Sequence, residues 1–105
     1  MAELKLTLPH RIPAADLGDA FDALLAADAL ANYVRVVDRQ RTTTALRARL
    51  AGDHLRDGIV TLTHTELIIR LDLTSLASLA SGRIERELTT LLRERLRRLS
   101  PPEHP

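Results

Sequence analysis

The side chains of this 105-residue sequence that could do chemistry are few and scattered. His10, His54, His64 and His104 lie far apart, and no two have the i, i+4 spacing that sets a pair of imidazoles on one face of a zinc-binding helix. Ser75, Ser78 and Ser81 recur at three-residue spacing, but no Gly-x-Ser-x-Gly elbow and no neighbouring histidine accompany them. Capping and small-residue packing are therefore their expected roles. The acids cluster as Asp16, Asp19 and Asp22 early in the chain and as Glu85, Glu87 and Glu94 late in it. Glu94 has the helical spacing of an ordinary surface ion pair to Arg97 and Arg98. No two carboxylates have surroundings that would drive their pKa values apart, as acid–base catalysis needs. Cysteine is absent, which removes thiolate ligands, disulfides and thiol nucleophiles, and four glycines form no phosphate-cradling loop. The expectation is a non-enzymatic chain with no catalytic residue, no metal site and no cofactor.

One constellation remains. Arg35, Arg47, Arg49 and Arg70 all fall opposite the apolar residues of their strands, so they are expected to line the open face of a sheet whose other face is covered by helices. Guanidinium groups so placed suit carboxylate or phosphate partners. Glu3 and Asp72 dilute the patch, and Val37, Ile59 and Ile68 share the same face by alternation. A mixed surface of arginine and β-branched residues also suits a homodimer or another protein partner. Nucleic acid is the weaker reading, because the formal net charge is only +1 and the two aromatic residues, Phe21 and Tyr33, offer no row of stacking platforms.

The elements that must carry these residues follow from periodicity. Glu3 to Leu8 alternates strictly, with Leu4, Leu6 and Leu8 on one face. Pro13 suits a first helical turn, and Leu17, Phe21, Leu24 and Leu25 give a helix from Ala14 to about Leu30, with Gly18 either against a neighbouring backbone or a weak point. Tyr33 to Asp38 and Thr42 to Leu50 read as strands, and Ala51 to Gly58 as a surface loop. Ile59 to Thr63 and Glu66 to Leu73 form a hairpin across His64 and Thr65. Thr74 or Ser75 would cap a long final helix with the stripe Leu76, Leu79, Ile84, Leu88, Leu91, Leu92 and Leu99, bent near Ser81 and Gly82. The predicted order is β-α-β-β-β-β-α: an α+β domain over 1–100, an antiparallel sheet of about five strands with two helices on one face, and a frayed tail at 101–105.

Composition agrees with one core. Hydrophobic residues are 45% of a chain near the usual single-domain length. No apolar run approaches a membrane span and the N-terminus lacks a signal-peptide pattern, so a cytoplasmic location without a transmembrane segment is expected.

The whole chain resembles a small bacterial family, the polyhydroxyalkanoic acid system proteins. The first strand followed by Pro9-His10-Arg11-Ile12-Pro13 and an alanine-rich helix is similar to that family's opening strand, His-x-x-Pro turn and helix. Gly58-Ile59-Val60-Thr61-Leu62, Leu67 to Leu73, and Gly82-Arg83-Ile84-Glu85-Arg86-Glu87-Leu88 are similar to its hairpin and closing helix. The resemblance implies a context, storage-polyester granules, and no catalytic residues. The leading expectation is an accessory or interaction protein, associated with a granule surface or a protein partner. Two others stand beside it: a carrier holding a small apolar ligand between helix and sheet, and weak nucleic-acid binding through the arginine face.

Overall fold

Alternation of leucine with polar residues drives both the first strand and the face it buries. The structure is a computed structural model and describes residues 2–26, 34–42, 44–53, 55–74, 79 and 81–99. Strand β1 (Ala2–Pro9) is followed by a single 3-10 turn at Ala14–Asp16 and helix α1 (Leu17–Leu25). Strands β2 (Arg35–Arg41), β3 (Ala45–Gly52), β4 (Leu55–Thr63) and β5 (Glu66–Leu73) come next, then helix α2 (Ser81–Leu99). The five strands form one antiparallel sheet in the order β1-β5-β4-β3-β2, so β1 crosses to the far side of a four-strand meander. The predicted α+β class and order are those observed.

Register explains the core. Leu8, Leu67, Leu62 and Leu46 lie side by side across four strands, as do Leu6, Ile69, Val60 and Ala48, and Leu4, Leu71, Gly58 and Leu50. In the last row Gly58 leaves space that its neighbours take. A Cβ there would come within 3.1 Å of Leu71 and 3.2 Å of Leu50. Over this face pack Leu17, Ala20, Phe21, Leu24 and Leu25 of α1 and Leu88, Leu92 and Leu96 of α2, in one continuous cluster. Helix α2 lies along β1 and touches α1. Both helices thus sit on the same side of the sheet. No described helix is long and apolar enough to cross a membrane.

Several boundaries differ from expectation for physical reasons. The stretch read as a loop, Ala51 to Gly58, is mostly strand: β3 runs to Gly52 and β4 starts at Leu55. Turn-forming residues misled there, because Asp57 carries its carboxylate to the open face and Gly58 is a packing choice rather than a turn. Thr42 and Thr44 precede β3 instead of belonging to it, since Thr42 builds the turn. A bulge at Val37 carries β2 beyond Asp38 to Arg41. Pro13 sits just before the 3-10 turn, where its carbonyl accepts the Asp16 N–H at 2.9 Å. Gly18 has nothing within 4 Å of the place a Cβ would take, so it presses on no neighbouring backbone. In α2 the buried stripe is the i, i+4 row Ile84, Leu88, Leu92 and Leu96, with Leu99 beside it. Leu79 is 86% and Leu91 46% exposed, so neither belongs to the core. The predicted helix ends at 27–30, the strand start at Tyr33, the 75–78 segment and the 101–105 tail lie outside the described residues.

Candidate interaction face

The open face of the sheet can be laid out from register alone. One row across the five strands reads Lys5, Arg70, Ile59, Arg49 and Asp38. The row beside it, toward the β4–β5 turn, reads Thr7, Ile68, Thr61, Arg47 and Gln40. The row on the other side carries Glu3, Asp72 and Asp57, and ends at Ala51 and Arg35 on β3 and β2. All four arginines singled out by sequence therefore reach the same face. Ile59, Thr61 and Ile68 are half-buried at its centre, and both described helices pack on the opposite face.

Two of the four arginines are already engaged. Arg70 donates from Nε and Nη2 to the same Glu3 oxygen, at 3.1 and 2.9 Å, across the β1–β5 pair. Arg49 Nε lies 3.6 Å from Asp57 Oδ1 across β3–β4. These pairs are half-exposed and contribute little to stability. Arg35 and Arg47 make no ion pair among the described residues. Around Ile59 the face dips twice, in a depression of ≈ 440 Å³ bordered by Glu3, Asp57, Arg70 and Asp72 and one of ≈ 150 Å³ bordered by Asp38, Gln40, Arg47 and Arg49.

Sequence reasoning missed part of this face. Asp38 and Gln40 arrive there only because the bulge at Val37 shifts the alternation, which also turns Arg39 toward the helix side, where it pairs with Asp22 of α1. No local pattern announces a bulge. Asp57 was hidden by its turn-like neighbours. Lys5 was legible, as the polar partner of Leu4 and Leu6 in the β1 alternation.

The histidines resolve into different roles. His10 is a structural pin: its Nδ1 accepts the Ile12 N–H at 3.1 Å, which leaves the proton on Nε2, and Nε2 donates to the Thr63 carbonyl at 2.8 Å. Its own N–H bonds the Thr65 carbonyl at 2.9 Å. The ring is partly buried by this tie between the β1–α1 link and the β4–β5 turn, rather than being a solvated turn residue. His64 is exposed beside a small cleft of ≈ 140 Å³ that also touches Arg41, Thr44 and Leu17. His54 and His104 lie outside the described residues, as do Ser75 and Ser78. Among the described residues no polar or charged side chain is buried and no group of acids and histidines is arranged to hold a metal ion.

Between the helices and the sheet Leu24, Leu62, Leu67, Ile69, Leu92 and Val60 are almost wholly removed from solvent. Comparison with protein-family models, with curated proteins and with solved structures gives no match to this chain.

Proposed function

We propose that this chain is a non-enzymatic accessory protein that works by protein–protein contact through the uncovered face of its sheet. The observation that carries the reading is the one-sided construction: two helices close one face, while the other leaves half-buried Ile59, Thr61 and Ile68 inside a border of charged residues of both signs. That distribution, an apolar centre with a polar rim, is the anatomy of a protein interface. An apolar carrier is less well supported, since the helix-over-sheet interior is packed. Nucleic-acid binding is also less well supported, because Arg49 and Arg70 face carboxylates of their own sheet.

The likeness of the two ends of the chain to polyhydroxyalkanoic acid system proteins makes storage-polyester granules the first surface to test. Purified protein should float with granules and not with phospholipid vesicles, and should still do so at high salt. An Ile68→Asp variant, which puts a charge in the centre of the face, should lose co-flotation. Undiminished flotation of that variant would remove the sheet face from the function, and no flotation of the unaltered protein would remove the granule context.

A further inference from the structure

We infer that the cleft between the N-terminal end of α1, the β2–β3 turn and the β4–β5 turn binds a small carboxylate with a short apolar tail. This site lies at one end of the sheet, on the helix side, and is independent of the reading of the open face.

The lining divides by chemistry. Leu17, Leu46 and Leu62 form an apolar floor continuous with the core, while Arg41, Thr42, Thr44 and His64 stand exposed at the rim. Arg41 reaches the helix side for the same reason as Arg39, because the bulge at Val37 shifts the alternation of β2. Neither the Arg41 nor the His64 side chain has an ion-pair or hydrogen-bond partner among the described residues. Thr42 Oγ1 is committed to its turn, accepting the Thr44 and Ala45 N–H groups and donating to the Ala45 carbonyl. The Thr44 hydroxyl meets it only at 3.5 Å, so its proton can turn to a ligand. Arg41, Thr44 and His64 thus offer donors around one opening, and the imidazole has an N–H to give in either protonation state.

The sign of the charge selects the ligand. No carboxylate lines this cleft, unlike the two depressions of the open face, which Glu3, Asp38, Asp57 and Asp72 border. Asp16 precedes Leu17 in the chain but is exposed and off the lining. Cationic donors without an acid favour an anion. The leucine floor favours one that carries carbon, since phosphate would set oxygens against side chains that cannot donate to them.

The volume, ≈ 140 Å³, sets the size. A cavity of about 150 Å³ holds a benzene-sized molecule of about six non-hydrogen atoms, the number in butyrate. The walls are held in place by the fold itself. His10 ties the link before α1 to the carbonyls of Thr63 and Thr65, on either side of His64, and Thr42 braces the turn that follows Arg41. Preorganised walls lower the ordering cost of binding, but a cleft this small and open supports an affinity only on the order of 1 mM.

Amide chemical shifts of the isotope-labelled full chain, followed as sodium butyrate is raised to about 20 mM at constant ionic strength, test the site. Saturating shifts should be confined to Leu17, Thr44, Ala45, Leu46 and His64. Butyramide, similar in shape and uncharged, should bind at least about tenfold more weakly, and inorganic phosphate at least about fivefold. Arg41→Gln and His64→Asn should each weaken butyrate by about fivefold, while Arg47→Gln, on the open face, leaves it unchanged. An unaltered spectrum away from the cleft reports that each variant is folded. Shifts spread over the whole surface, or none by about 20 mM, overturn the site. Butyramide as strong as butyrate overturns recognition of the charge, and phosphate as strong as butyrate overturns the apolar tail. Binding that survives both Arg41→Gln and His64→Asn overturns the assignment of the donors.

Discussion

His10 ties the β1–α1 link to the β4–β5 turn through one ring and one backbone amide. Replacing it with alanine leaves the Ile12 N–H and the Thr63 carbonyl without their partner, so His10→Ala should lower stability by about 1–3 kcal/mol in urea titration. Gly18 points the other way. With nothing near a would-be Cβ, Gly18→Ala should stabilise by about 0.5–1 kcal/mol, read as a higher unfolding midpoint, since it restores helix propensity to α1 at no steric cost. Neither role was fully legible in the sequence: the histidine's partners lie 53 residues away, and the freedom around a glycine depends on what packs beside it.

At the scale of elements, the periodic signals were readable where each segment answers to one face. β5 has the predicted bounds because Leu67, Ile69, Leu71 and Leu73 leave no alternative register. The reading failed where two demands compete. In α2 several leucines lie near one side of the helix, and only packing against β1 selects Leu96 over Leu91. Leu96→Ala should therefore cost about 2–5 kcal/mol and Leu91→Ala less than about 1, measured by thermal or chemical unfolding. The β2–β3 and β4–β5 turns share a device that sequence reading left aside. Thr63 Oγ1 accepts the Thr65 and Glu66 N–H groups and donates to the Glu66 carbonyl, and Thr42 Oγ1 does the same with Thr44 and Ala45. Thr63→Val keeps the shape and loses the bonds, so it should destabilise by about 1 kcal/mol, with faster amide exchange at Thr65 and Glu66.

For the whole molecule, the candidate face was legible in outline and not in detail. Alternation placed Arg47, Arg49 and Arg70 together, but Asp38, Gln40 and Asp57 came to that face through a bulge and an extended strand that only tertiary pairing creates. Two-sided exposure also distinguishes β2, most of whose residues are open to solvent, from β4 and β5 at the centre of the sheet. Native-state hydrogen exchange should accordingly rank the amides, slowest in β4 and β5 and fastest in β2. The strand order has a kinetic corollary. β2 to β5 pair as sequence neighbours, whereas β1 joins β5 across some sixty intervening residues, as in Leu6 beside Ile69. Closing that loop comes at the highest entropic cost, so the meander assembles first and the N-terminal strand docks late. Leu6→Ala should then act almost wholly by speeding unfolding, while Val60→Ala slows folding. The strand that is first in the sequence is the last to arrive, and until it does one long edge of β5 stands open to pairing with a strand from elsewhere.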